Sequence, residues 1–153
     1  MTQIGNVQAE TNRKNLTQAL QIGASLQVFC ILLPLLDLWI FGGVERHVRA
    51  AYPEWTPDQV TTDRNAIIAY LVGVGFLLQL GWLFSLAAAH HGRRERAVVT
   101  TVFVIAMCWL TFNAGIGGGG YDNIIPLWLG LILLLVPALP GITAMMVVWQ
   151  RKG

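Results

Sequence analysis

Asp37 is the one ionisable side chain embedded in an apolar stretch, in the run Leu-Leu-Asp-Leu-Trp. A charge at the centre of a membrane helix costs roughly 2.5–3.5 kcal/mol on insertion scales, so such a residue is by default a candidate for function. Asp37 precedes Phe41 by four residues, about 6 Å along a helix axis, which puts an interface within reach. Two readings follow. Asp37 is either a carrier for a proton or cation, or an acid that pairs with Arg64 or Asn113 at neighbouring helix ends or meets water there.

Gln27 and Gln79 form the second candidate. Counted from the basic ends of their segments they lie about 10–12 Å and about 15 Å deep, at compatible heights on consecutive antiparallel helices. Amides bonded across helices in lipid contribute around 0.6 kcal/mol and at most about 2; the same pair can instead line a polar pocket. Pro137, Pro140 and Gly141 are the third candidate. The two prolines deprive the carbonyls of Leu133 and Val136 of their helical donors, which predicts a bend or break. Broken helices expose backbone dipoles that bind substrates in transporters. Ala66, Ala69, Gly73 and Gly81 fall along one side of a helix, the small-residue pattern that lets backbones approach closely in lipid. Gly75 and Gln79 fall on a different side.

Other chemistries fail on spacing. His90 and His91 are adjacent, so on a helix they point about 100° apart, and His47 belongs on the opposite side of the membrane. No metal or haem site is expected. Cys30 and Cys108 have no CxxC partner and read as small buried hydrophobes. Gly117 to Gly120 precede Tyr-Asp without the Thr-Val-Gly order of a potassium filter and without the Lys-Ser/Thr of a phosphate loop. That run predicts a flexible turn. With no Ser/His/Asp, Cys/His or paired-carboxylate arrangement, neither an enzyme nor a cofactor is expected.

The elements that must position these residues are four apolar stretches, at residues 20–41, 66–89, 97–116 and 124–149. A bilayer core takes about 20 apolar residues in a helix, so each can span it. The chain is 55% hydrophobic and 12% charged, against about 25% charged in soluble domains, which makes lipid its solvent. Its 153 residues suit a single four-span domain. Arg13, Lys14, Arg93, Arg94, Arg96, Arg151 and Lys152 fall on one side of the spans. Arg46, Arg49 and Arg64 fall on the other among five acids. The positive-inside rule then puts both termini and the second loop in the cytoplasm. No basic face is dense enough for nucleic acid, and Arg exceeds Lys by eight to two, a composition suggestive of a bacterial source and its cytoplasmic membrane.

Local signals refine the plan. The first residues are expected to be mobile until about Asn15, and Pro34 should kink the first span. In the loop at 42–65, Val44, Val48 and Ala51 recur at helical spacing, predicting a short amphipathic helix on the outer membrane surface. Thr56-Pro57-Asp58-Gln59 reads as an N-cap, a proline at the first helical position and a capping box, so the second long helix should start well before its span. The expected fold is all-α: an integral membrane four-helix bundle with a short outer-surface helix between spans one and two. The expected function is a non-catalytic subunit of a membrane complex, bound to lipid and to other membrane proteins or copies of itself. The alternative is an oligomeric transporter or channel for a small solute or ion, its path lined by Asp37, Gln27, Gln79 and the Pro137–Pro140 break.

Overall fold

The computed structural model describes the backbone of residues 2–91, 95–114 and 116–150, and the side chains of 10–89, 96–113 and 116–150. The side chains of His90 and His91 and the basic residues Arg93, Arg94, Arg151 and Lys152 therefore lie outside the described residues. Among those described, all regular structure is helical apart from one isolated bridge between Gly118 and Tyr121.

Helix α1 runs from Thr2 to Leu36 and passes through Pro34. At about 1.5 Å per residue its 35 residues extend roughly 50 Å, far beyond a bilayer core. The expected mobile tail is thus a continuation of the helix. Once the span has nucleated it, extending the helix backwards adds a hydrogen bond per residue ordered, and an exposed Glu10–Lys14 pair at 2.9 Å supports the added turns. A single π-helical turn, Asp37–Phe41, ends the rod. Gly42 closes it at φ 60°, its N–H bonded to the Asp37 carbonyl at 2.7 Å. That left-handed conformation strains any residue with a Cβ, so glycine belongs there.

Short helix α2 (Gly43–Ala51) follows, and α3 (Pro57–His91) then returns the chain. The capping box at the start of α3 is formed: Gln59 N–H donates to Thr56 Oγ1 at 3.4 Å, and Thr56 N–H donates to Gln59 Oε1 at 2.9 Å. Helix α4 (Glu95–Ala114) and helix α5 (Leu127–Gln150) complete the bundle. Helix α5 starts later than the apolar run because Ile124, Ile125 and Pro126 belong to the preceding loop, where Ile125 is buried. It runs unbroken through Pro137 and Pro140, so the expected break is absent.

Four of these helices carry stretches long and apolar enough to cross a bilayer, Glu10–Phe41, Pro57–Ala89, Arg96–Asn113 and Leu127–Gln150. Large apolar side chains such as Phe76, Phe84, Ile105, Phe112 and Leu139 are more than half exposed along them. In water that surface would drive aggregation; in lipid it is the natural exterior. The chain is a multi-pass membrane protein with four membrane-spanning helices. Helix α1 packs on α3 and α5, and α4 packs on the other sides of α3 and α5, giving a ring α1–α3–α4–α5.

The interior is dense at both ends. At the terminus end Leu16, Ala19 and Leu20 meet Ala89, Val99, Ala144 and Val148. At the loop end Val44, Val48 and Val60 meet Ile67, Ile68, Leu71, Ile125 and Leu129. Helix α2 was expected to bury its apolar face in lipid. It buries it in the protein instead, since Val44 and Val48 are wholly enclosed by this second cluster and close the end of the bundle.

Candidate functional site

Asp37 is fully buried, and its carboxylate hydrogen-bonds neither Arg64 nor Asn113. Its Oδ1 accepts the backbone N–H of Gly43 at 2.9 Å, and its Oδ2 accepts that of Val44 at 2.8 Å. These are the first donors of α2, which the helix itself cannot satisfy. The carboxylate also complements the positive end of the helix dipole. The π turn makes this reach geometrically open, because it delivers the chain to Gly42 with Asp37 folded back beneath α2. Gly43 is packed so closely that a Cβ there would lie 2.7 Å from Asp37 Oδ1 and 3.0 Å from the Trp128 ring. Asp37 is thus a capping residue, and its expected partners are engaged elsewhere. Arg64 pairs with Glu45 at 2.8 Å, and Asn113 accepts the Tyr70 hydroxyl.

Around α2 the loop end forms an ordered aromatic cap, none of whose long-range contacts could be read from spacing. Tyr52 stacks on Trp55 with centroids 3.8 Å apart and stands edge-on to Tyr121 at 5.2 Å. His47 stacks on Tyr121 and hydrogen-bonds the Asn123 carbonyl at 2.7 Å. The Tyr121 hydroxyl donates to Asp63 at the start of α3. Burial, followed by the hydrogen bond and charge of Asp63, pushes the Tyr121 phenol well above its ordinary range. Glu45 is held below the usual carboxylate range by hydrogen bonds from Arg49 and Arg64.

The glycine run, expected to be a flexible turn, forms a hydrogen-bonded turn that belongs to this cap. Gly118 and Tyr121 exchange backbone hydrogen bonds at 3.1 Å, and Ile124 N–H closes the neck onto the Ile116 carbonyl. Gly120 N–H donates to the Tyr52 hydroxyl at 2.7 Å. Gly119 has φ 61°, and a Cβ on it would fall 2.2 Å from that hydroxyl. Four glycines in a row were legible; the tyrosine that needs them was not.

Gln27 and Gln79 do lie on adjoining helices, but they do not bond each other. Gln27 is 2% exposed, and its Nε2 donates to the Gly75 carbonyl on α3 at 3.4 Å. The Oε1 atoms of Gln27 and Gln79 are both buried with no protein donor in reach. An unsatisfied buried acceptor costs about 1–3 kcal/mol, so these two are anomalies that packing alone does not explain.

Gln27 also lies between two cavities of about 40 Å³ each. Both draw their linings from all four long helices and therefore lie along the bundle axis, and Gln27, Leu78 and Leu110 border both. The cavity nearer the termini includes Ser85, Pro137 and Gly141; the other includes Tyr70, Asn113 and Leu133. Asp37 borders neither. The structure therefore brings Gln27, Pro137 and Gly141 together, leaves Asp37 at the cap, and leaves Gln79 outside both cavity linings. Pro140 and Gly141 are buried, and Gly141 accommodates the Phe103 ring.

The small-residue side of α3 faces outward within the chain. Ala66, Ala69 and Gly73 are exposed, and a Cβ on Gly73 would meet nothing within 4 Å. Of its two glycines, Gly81 is the one where a Cβ would meet another helix, at Val102. The close internal approach occurs at Gly75, where a Cβ would lie 2.7 Å from Ile31, because α3 turns that side toward α1. Among the described residues no group of three His, Cys, Asp or Glu side chains could hold a metal ion. Comparison of the chain with protein-family models, with curated proteins and with solved structures finds no match.

Proposed function

We propose that this chain is a non-catalytic component of a membrane assembly, resident in a bacterial cytoplasmic membrane with both termini in the cytoplasm. The observation that carries the reading is the engagement of Asp37. The acid embedded in the apolar run of the first span spends both oxygens on backbone donors of α2 and is not free to bind or carry a solute. The exposed Ala66–Ala69–Gly73 side of α3 supports a helix partner, a second copy or a different membrane protein, since small residues allow close approach in lipid. The basic residues at the terminus end support the orientation.

A second reading, an oligomeric transporter or channel for a small solute or ion, is favoured by the two axial cavities at Gln27. Asp37 does not add to it, because its oxygens are engaged by α2, and α5 is continuous through Pro137 and Pro140. Purification from native membranes in mild detergent, with mass measurement and reconstituted flux, separates the two. Stoichiometric association with a different membrane protein, weakened by Gly73→Leu, supports the first. A homo-oligomer whose flux is abolished by Gln27→Leu supports the second and overturns the first.

A further inference from the structure

The bundle interior changes character along its axis. Wholly apolar clusters close it at both ends, around Leu16 and Leu20 at one and around Val48 and Leu129 at the other. Between them the packing opens into the two cavities, and the polar residue common to both linings is a glutamine with an unused acceptor. An apolar filler would leave Gln27 Oε1 without a partner. A cation would meet no carboxylate, since Asp37 is absent from both linings. The site asks for a compact, uncharged hydrogen-bond donor that can also donate or accept elsewhere.

We infer that the two axial cavities bind ordered water, anchored by Gln27. Each cavity has room for about three molecules, at roughly 10–15 Å³ per water centre. A buried water needs two to four polar partners, and the linings offer them. Gln27, whose Oε1 has no protein donor, borders both cavities, and Ser85, itself 2% exposed, lines the one nearer the termini. Tyr70 and Asn113 border the other, together with Leu133, whose carbonyl loses its helical donor to Pro137. Gln27 is the residue whose amide links the two groups of water across the partition made with Leu78 and Leu110. The inference is independent of whether the chain serves as a subunit or a transporter.

The test is X-ray hydroxyl-radical labelling of the full chain in lipid nanodiscs, where radicals arise from bound water itself. Met107 lines the cavity nearer the termini, whereas Met146 is 54% exposed on the lipid-facing exterior. Bound water predicts oxidation of Met107 several-fold faster than that of Met146, with the excess lost in Gln27→Leu and in Gln27→Met. Equal rates in the unaltered protein overturn the inference and need no variant to fold. A Met107 excess that persists in both folded variants overturns the role of Gln27 as anchor.

Discussion

Asp37 Oδ2 receives the backbone N–H of Val44 at 2.8 Å, across a π turn and a left-handed glycine. An acid that the sequence leaves open between a carrier and a paired or wet interfacial group is the link that fastens α2 to the end of a transmembrane helix. Its two hydrogen bonds are charge-assisted and shielded from solvent, which places them among the stronger kind.

Asp37→Asn should therefore lower stability by about 2 kcal/mol, since one oxygen becomes an amide that faces a backbone donor. Reversible unfolding in mixed detergent micelles measures this. An unchanged midpoint would show that the cap does not depend on the carboxylate.

The Tyr52–Gly119 approach predicts a specific non-additivity. Gly119→Ala should cost about 1–3 kcal/mol from the left-handed backbone conformation and the clash with the hydroxyl. Tyr52→Phe should cost about 1 kcal/mol through the lost bond to Gly120. In the double variant the clash is relieved and only the backbone strain persists. A double-mutant cycle should return less than the sum of the two losses.

Helix α3 offers a paired test of which side faces inward. Gly75→Leu should destabilise by about 1–3 kcal/mol through overpacking against Ile31. Gly73→Leu should leave the isolated chain's unfolding midpoint unchanged, because nothing lies within 4 Å of that position. Equal effects at the two positions would contradict the assigned rotation of α3.

Two groups in the cap set its pH limits. Tyr121 has a raised pKa, so its contribution to stability is complete below the ordinary phenol value of 10.0 and fades as pH rises through the higher folded value. Loosening of the cap in strong alkali, followed by tyrosinate absorbance, should disappear in Tyr121→Phe. Glu45 is depressed, so its contribution is present above 4.5 and fades as pH falls through the lower folded value. Glu45→Gln should remove that acid-side slope, by a small amount, because the pair with Arg49 is partly exposed.

Much of this protein was settled by residue type and spacing alone. Span number, the α3 start at Thr56 to Gln59 and the amphipathic period of α2 are local properties. Hydropathy and capping act over a few residues, so a linear reading captures them. What needed the folded chain was every pairing across long sequence separation: Asp37 with α2, Tyr52 with the glycine turn, Tyr121 with Asp63, and Gly75 rather than Gly73 against α1. A helix in lipid is apolar on all sides, so its periodicity says little about which side faces its neighbours. Rotation is decided by packing around the ring, and that packing alone brought Gln27 to the axis between two cavities.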